Sequence, residues 1–192
     1  MNPLIKERIT ESILVKQAVL LDDKLMETIQ QVTDVTTIAL KADKKILLCG
    51  NGGSASDAQH IAAELSGRYY LDREPLYAEA LHVNTSAVTA IANDYGYDEV
   101  FARLVRSKGR QGDILYALST SGNSPGIINA IKSAKERFMI VVGMTGGNGG
   151  KMNGNCDYLI KIPSIDTPRI QECHILVGHI ICELVESAIF KK

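Results

Sequence analysis

The chain has 192 residues, of which 45% are hydrophobic and 22% are charged, and its formal net charge is −1. This length and composition are typical of one globular domain with a sizeable buried core. A charge so close to zero provides no basic surface for nucleic acid, and no segment reads as a membrane span. We therefore expect neither a nucleic-acid partner nor a membrane partner.

Two features of the sequence predict a cytoplasmic location. The first residues carry both charge signs without a long apolar run, which is not the pattern of a secretory signal. The four cysteines form no Cys-x-x-Cys pair and lie mostly in apolar runs, as reduced buried thiols do. They are Cys49, Cys156, Cys173 and Cys182.

The N-terminal segment, residues 1–42, is predicted to be helical. From Pro3 to about Ala42 apolar residues recur at helical spacing, with an interruption near Asp22 and Asp23, so we expect one or two long amphipathic helices. Because the segment precedes the first strand, it has no place in a β-α-β alternation. We expect it to pack on another subunit and to serve oligomerisation.

Five strand candidates follow, with helical patterns between them. This alternation is typical of a parallel sheet with helices on both faces, and such sheets bind ligands at the carboxyl ends of their strands. The candidates are residues 46–49, 77–83, 114–118, 139–143 and 158–162.

A hydroxyl-rich loop, residues 119–124 (the serine loop), follows the strand at 114–118. Ser124 and Pro125 suit the N-cap and first position of a helix, whose N-terminus attracts anions. A plain polar turn is the alternative interpretation, but four hydroxyls at a strand-to-helix junction favour a phosphate site. The hydroxyls belong to Ser119, Thr120, Ser121 and Ser124.

A glycine-rich loop, residues 50–58, follows the first strand, with Ser54 or Ser56 available as a helix cap. Its small residues allow a ligand to approach the backbone. The spacing Gly50-x-Gly52-x-x-Ala55, with Asp72 further on, also satisfies a degenerate dinucleotide-binding pattern. Asp72 precedes the strand candidate at 77–83 instead of ending it, which disfavours that alternative.

Two helices carry candidate chemical groups. His60 and Glu64 are one turn apart after the glycine loop, and therefore share a helix face. Gln171 and His179 are about two turns apart on the last helix, close enough to reach one pocket, whereas His174 points elsewhere and is expected to be structural. The ordinary alternatives are a surface His–carboxylate pair and a buried histidine.

Taken together, these motifs resemble the sugar isomerase (SIS) domain family, and most specifically its phosphoheptose isomerases. The resemblance rests on the glycine loop, His-x3-Glu, Asn93-Asp94, the serine loop and Arg-Ile-Gln-Glu-x-His-x4-His, and it covers nearly the whole chain. It implies a single SIS domain, 1–192, with a flavodoxin-like three-layer α/β/α sandwich, a five-stranded parallel sheet and preceding N-terminal helices. It also implies a homotetramer with active sites at subunit interfaces.

The resemblance further implies an aldose-ketose isomerase acting on a small sugar phosphate. The reaction would convert D-sedoheptulose 7-phosphate to D-glycero-D-manno-heptose 7-phosphate through an enediol, for bacterial heptose used in lipopolysaccharide or capsule. Glu64 and His179 would be catalytic. The implied substrate-binding residues are Asn51, Gly52, Gly53, Ser54, Arg68, Asn93, Asp94, Ser119, Thr120, Ser121, Ser124 and Gln171.

A zinc ion is the implied cofactor. Some members of the family bind zinc through the residues that match His60, Glu64, Gln171 and His179, so the resemblance implies up to one Zn²⁺ per subunit without requiring it. A set of two imidazoles, a carboxylate and an amide is chemically suitable, although an amide oxygen is an uncommon zinc ligand.

One position departs from the family pattern, and two other functions remain as alternatives. Members that read Asp-Arg-Ile-Gln have a carboxylate where this chain has Pro168, and Asp166 or Thr167 would have to substitute for it. Some relatives are non-catalytic adaptors that bind the replication initiator protein, but the presence of Glu64 and His179 favours an enzyme. An isomerase or sensor of another sugar phosphate is the second alternative, because a phosphate-binding loop does not distinguish sugars by their number of carbon atoms.

Overall fold

The computed structural model describes residues 2–191. Met1 and Lys192, which end the predicted domain, lie outside the described residues. Short 3₁₀ turns at Leu81–Val83, Tyr97–Glu99 and Gly150–Met152 accompany the helices and strands of the described range. The helices and strands are α1 (Pro3–Leu20), α2 (Asp23–Lys41), β1 (Ile46–Cys49), α3 (Gly53–Ser66), β2 (Ala78–Ala80), α4 (Thr85–Tyr95), α5 (Val100–Lys108), β3 (Ile114–Leu118), α6 (Pro125–Glu136), β4 (Ile140–Gly146), β5 (Tyr158–Ile162) and α7 (Thr167–Phe190).

The strands form one parallel sheet in the order β2-β1-β3-β4-β5. After β1 the chain moves to one side of the sheet to form β2, and then returns to the other side of β1 to form β3. The order therefore reverses between β1 and β3, and ligands bind at such a switch point in open α/β sheets. The glycine loop follows β1 and the serine loop follows β3, so both predicted loops lie at this position.

Two apolar layers enclose the sheet. Leu48 and Tyr116 point to the face covered by α2, α3 and α7, whereas Leu47 and Leu115 point to the face covered by α5 and α6. Alternation of this kind along strands that are buried on both faces produces a three-layer sandwich. The predicted flavodoxin-like α/β/α architecture is confirmed.

Two strand predictions were inaccurate in length. The strand predicted at 77–83 is shorter, Ala78–Ala80, because it is an edge strand whose only recorded register partners within the described chain are three residues of β1. The strand predicted at 139–143 extends to Gly146, because β4 pairs with β3 on one side and with β5 on the other.

The N-terminal segment forms two helices. Asp22 separates them and caps α2, accepting a hydrogen bond from the backbone N–H of Leu25 at 3.0 Å. Much of α1 is exposed, including Ile5, Ile9 and Ile13, each more than half accessible. An exposed apolar face of this kind is typical of a contact surface, so the role of this segment in oligomerisation stays a prediction.

The last helix, α7, is long and apolar enough to cross a membrane when judged by length and composition alone. In the fold it packs against the sheet, α2 and α3, and residues such as Cys173, Val177 and Ile181 are buried in that core. Its apolar character therefore has a sufficient explanation in the packing of the domain.

Candidate active site

A cavity of about 280 Å³ lies beyond the carboxyl ends of β1 and β3. The serine loop, the start of α3 and the start of α7 surround it. The structure thus brings most of the predicted substrate-binding side chains to one place. The lining residues are Asn51, Ser54, Leu118, Ser119, Thr120, Ser121, Ser124, Thr167 and Gln171.

The serine loop leads into α6 as predicted, with Ser124 at the N-cap and Pro125 at the first helical position. Ser124 Oγ, however, accepts a hydrogen bond from Asn51 Nδ2 at 2.8 Å instead of capping the helix. Tyr97 donates its hydroxyl to Asn51 Oδ1 at 2.9 Å. Sequence reasoning missed Tyr97, because it lies in a 3₁₀ turn that carries no recognisable motif.

The glycine loop brings the starts of α3 and α7 together. Helix α3 begins at Gly53 with Gly52 as its N-cap, so the expected cap at Ser54 or Ser56 was wrong. Gly52 has φ +55°, a conformation that favours glycine. A Cβ on Gly53 would lie 2.5 Å from Gln171 Nε2, so the bare backbone there makes room for the Gln171 amide.

The turn that follows β4 packs against the serine loop. Gly122 has φ +66°, and a Cβ there would lie 2.2 Å from the carbonyl oxygen of Gly149. Lys151 donates its backbone N–H to Asn123 Oδ1 at 3.1 Å. These contacts fix the backbone of the loop whose hydroxyls line the cavity.

Further along α3 and α7, three side chains form a compact cluster. His60 Nε2 lies 3.1 Å from Glu64 Oε1 and 3.3 Å from His179 Nε2. The two imidazole rings meet edge to face with centroids 4.8 Å apart. The predicted pairing of His60 with Glu64 on one helix face is therefore present, and His179 reaches it from α7.

These three residues fit a zinc ion. Their ligand atoms all lie within 4.8 Å of one another. Tetrahedral zinc with bonds near 2.1 Å separates its ligand atoms by about 3.4 Å, so small side-chain rotations would suffice. Two imidazoles and one carboxylate match the donor set of catalytic zinc sites that keep one position open. Gln171, the fourth predicted ligand, packs at Gly53 beside the serine cavity.

Other predicted residues lie apart from the cavity lining. Arg68 is exposed on the loop after α3. Asn93 and Asp94 are exposed on α4, where Asn93 Nδ2 donates to Asp94 Oδ1 at 2.9 Å. Within the single chain described over 2–191, these side chains are not among the lining residues, and their roles stay predictions.

Burial shifts the pKa values of two titratable groups on α3 and α7, Asp57 and His174. His174 is fully buried with Nε2 3.3 Å from the carbonyl oxygen of Thr145, and burial lowers its pKa to about 4. It is therefore neutral near pH 7, consistent with the structural role predicted for it. Burial raises the pKa of Asp57 to about 6 against the opposing effect of His60, a perturbation that sequence reasoning missed.

Comparison with known proteins shows the family to which the chain belongs. The sequence model of the SIS domain matches residues 15–146. A phosphoheptose isomerase of Aneurinibacillus thermoaerophilus is 53% identical over 191 residues, covering 100% of this chain and 96% of the relative. The chain belongs to the phosphoheptose isomerase family of SIS domain proteins.

Further members of the family match over almost their full length. A phosphoheptose isomerase of Clostridium acetobutylicum is 47% identical, with 99% of this chain and 97% of the relative covered. The solved phosphoheptose isomerase of Neisseria gonorrhoeae superposes with a TM-score of 0.89 at 46% identity, covering 95% of this chain and 97% of that one. That of Francisella tularensis gives 0.93 at 33% identity, covering 97% and 100%.

Proposed function

We propose that this protein is the aldose-ketose isomerase that converts D-sedoheptulose 7-phosphate to D-glycero-D-manno-heptose 7-phosphate. Membership of the phosphoheptose isomerase family supports this activity. The observation that carries it is that the same two helices border the hydroxyl-lined cavity and also hold the His60, Glu64 and His179 cluster. Helices α3 and α7 begin at the hydroxyl-lined cavity, with Gln171 against Gly53, and meet again where His179 contacts His60.

The hydroxyl-lined cavity and the His60, Glu64 and His179 cluster are far enough apart for an extended sugar phosphate to reach both. His60 follows Gly53 by seven residues and His179 follows Gln171 by eight, so each helix advances about 10–12 Å from cavity to cluster. An extended chain from C1 of a heptulose to its phosphorus spans roughly 9–10 Å at ordinary bond lengths. A phosphate in the cavity would therefore place C1 and C2 near the cluster.

The phosphate is assigned to the serine loop. Ser119, Thr120, Ser121 and Ser124 offer hydroxyls, and the N-terminus of α6 adds backbone N–H groups and its positive dipole end. Each hydrogen bond to a charged group contributes about 1.5–3 kcal/mol. No lysine or arginine lines this cavity in the part of the chain that the structure describes, so hydroxyls and backbone carry the binding.

Sugar hydroxyls are assigned to the glycine loop and the start of α7. Asn51, Ser54 and Gln171 line the cavity, and Gly52 and Gly53 are the N-cap and the first residue of α3 beside them. Thr167 lines the cavity next to Pro168, and its hydroxyl would substitute for the carboxylate of members that read Asp-Arg-Ile-Gln. Arg68, Asn93 and Asp94, which are exposed in the single chain, are assigned to the surroundings of the sugar, with Arg68 at the rim of the site.

Glu64 is assigned as the base that moves the carbon-bound proton. It removes a proton from C1 of the ketose, which yields an enediol, and returns a proton to C2. His179 carries the proton from the C1 oxygen to the C2 oxygen, so that the carbonyl moves to C1 with no net loss or gain of electrons. A base placed in this way contributes about 10²- to 10⁴-fold to the rate.

Zinc fits the same residues as an optional cofactor. His60, Glu64 and His179 would hold the ion. Gln171 packs at Gly53, so its side chain would have to turn toward the cluster to act as the fourth predicted ligand. When bound, it supplies Lewis-acid polarisation of the substrate carbonyl. A carboxylate oxygen that binds metal is a weaker base, so Glu64 must keep one oxygen available for the proton.

The assembly is proposed to be a cytoplasmic homotetramer. The exposed apolar side chains of α1 and a groove of about 650 Å³ between α2 and α7, bordered by Ile38 and Leu184, offer contact surfaces. The four free cysteines suit a reducing compartment. The product would enter heptose biosynthesis, for lipopolysaccharide or capsule.

Turnover of sedoheptulose 7-phosphate by the purified protein, followed by proton NMR alongside fructose 6-phosphate, tests this function. We expect the aldoheptose signal to appear and the hexulose phosphate to react far more slowly. Faster turnover of fructose 6-phosphate would overturn the heptose assignment. Turnover of neither compound, with or without added zinc, would favour a non-catalytic adaptor.

A further inference from the structure

An ion pair outside the proposed chemistry joins the loop after α3 to the end of α7. Arg73 Nε donates to Glu186 Oε2 at 2.9 Å, and both side chains are about 2% exposed. A buried ion pair is weak support for stability, because desolvation of the two charges offsets most of their attraction. Its role is better sought in the groups that it orients.

Glu186 fixes three consecutive residues of the loop. Its Oε2 also accepts the backbone N–H of Tyr69 at 3.0 Å, and its Oε1 accepts those of Tyr70 and Leu71 at 2.8 and 2.9 Å. Both carboxylate oxygens therefore carry two donors each. Burial acts to raise the pKa of Glu186, but these backbone N–H groups and Arg73 outweigh it and the pKa is lowered.

Arg73 fixes the C-terminal end of α3. Its Nη2 donates to the carbonyl oxygen of Glu64 at 2.9 Å, and its Nη1 donates to those of Leu65 at 2.9 Å and Gly67 at 3.2 Å. The last carbonyls of a helix lack partners within the helix, and a cation there is also favoured by the helix dipole. The guanidinium thus holds the backbone of the residue proposed as the catalytic base.

The Arg73–Glu186 pair lies close to the His60, Glu64 and His179 cluster along α3 and α7. Glu186 follows His179 by seven residues, which is two turns of α7 and the same helix face. Tyr69, held by Glu186, places its ring 5.8 Å from the ring of His179. The Glu186–Arg73–Glu64 connection therefore spans from the helix that carries one imidazole to the helix that carries the carboxylate and the other imidazole.

We propose that Arg73 and Glu186 are positioning residues of the active site, which set the separation of α3 and α7 at which His60, Glu64 and His179 converge. The inference deepens the proposed function and rests on it for its kinetic readout. The geometry of the cluster is also measurable without turnover, through its affinity for zinc.

Glu186→Gln is the most informative variant. The amide keeps the shape of the carboxylate, but its NH₂ group faces donors where an oxygen accepted them, so two hydrogen bonds are replaced by repulsion. Glu183→Gln is the matched control, because Glu183 is exposed on the same helix one turn earlier. Arg73→Lys is the second variant, since an ammonium group cannot reach all the carbonyls that the guanidinium holds.

Four quantities are measured for each protein: the zinc dissociation constant by chelator competition, the melting temperature, and kcat and KM for sedoheptulose 7-phosphate. For Glu186→Gln and Arg73→Lys we expect weaker zinc binding and a lower kcat, each by about tenfold or more, with KM changed less than threefold because the serine loop is distant. Glu183→Gln should match the unaltered protein in all four.

The outcomes separate positioning from mere stability. A lower melting temperature with zinc affinity and kcat unchanged would overturn the proposal, and so would a loss confined to KM. If Glu186→Gln does not fold, Arg73→Lys decides between the same results. If the unaltered protein has no isomerase activity, the proposed function fails, and the zinc affinities still decide whether the pair positions the cluster.

Discussion

Gly178 of α7 packs directly on Ile61 of α3. A Cβ added to Gly178 would lie 2.6 Å from Cδ1 and 2.7 Å from Cγ1 of Ile61, closer than side chains tolerate. The two residues neighbour His179 and His60 in sequence, and the Nε2 atoms of these histidines are 3.3 Å apart. The missing side chain thus permits the close helix approach that brings the two imidazoles together.

Gly178→Ala is expected to weaken zinc binding by the cluster more than it lowers the free energy of unfolding. Alanine adds about 1 kcal/mol of helix propensity, but overpacking against Ile61 costs about 1–3 kcal/mol, so the net loss of stability is small. Separation of the helices should weaken zinc binding and lower kcat by about tenfold. Isothermal titration with zinc and steady-state kinetics measure both effects.

Gly126→Ala provides the control for that variant. A Cβ there would meet its nearest neighbours at 3.6 Å, an ordinary contact, so zinc affinity should be unchanged and stability the same or slightly higher. Equal zinc affinities for Gly178→Ala and the unaltered protein would show that the close packing does not shape the cluster.

Ser121→Ala is expected to reduce substrate binding. Removal of one hydroxyl from a phosphate site costs about 1.5–3 kcal/mol, or about 10- to 150-fold in KM, with little change in kcat. Ser107→Ala, which removes an exposed hydroxyl from α5, should leave both constants unchanged. A fall in kcat at constant KM for Ser121→Ala would argue against a phosphate site in the serine loop.

Zinc should stabilise the protein through His60. Added to chelator-treated protein, zinc in excess of its dissociation constant raises the melting temperature by mass action, because it binds the folded state. His60→Gln removes one of the three ligands and should abolish most of this rise. An equal rise in both proteins would place the metal elsewhere.

The buried His174 predicts part of the acid sensitivity of the fold. The pKa of His174 is about 4 in the folded protein and 6.5 ordinarily. Below about pH 6.5 the unfolded chain therefore binds a proton at His174 that the folded protein does not bind. The free energy of unfolding therefore falls with decreasing pH, by about 2 kcal/mol between pH 7 and pH 5 from this group. His174→Gln should lose less stability over that interval in urea titrations, and an unchanged loss would contradict the burial effect.

The sequence predicted the parts of the site that depend on local order along the chain. The serine loop follows a strand and precedes a helix, and His60 and Glu64 are one turn apart, so periodicity alone places them. The contact between His179 and His60 depends on how closely α7 approaches α3, which the absence of a side chain at Gly178 permits. No single segment carries that information.

Tyr97 and the Arg73–Glu186 pair were beyond sequence reasoning for a related reason. Glu186 is separated from the backbone groups it holds by more than one hundred residues, and in the sequence it is one more charged residue of an apolar helix. Its burial is a tertiary property. The same holds for the length of β2, which its single neighbour in the sheet limits.

Proton NMR of sedoheptulose 7-phosphate in D₂O, with the unaltered protein and Glu64→Gln side by side at equal concentration, tests the central claim most directly. Formation of the aldoheptose by the unaltered protein alone, with Glu64→Gln reduced at least 10²-fold yet still binding the substrate, is the predicted result. Equal turnover by Glu64→Gln would contradict the assignment of Glu64 as the base, and absence of turnover by the unaltered protein would contradict the isomerase itself.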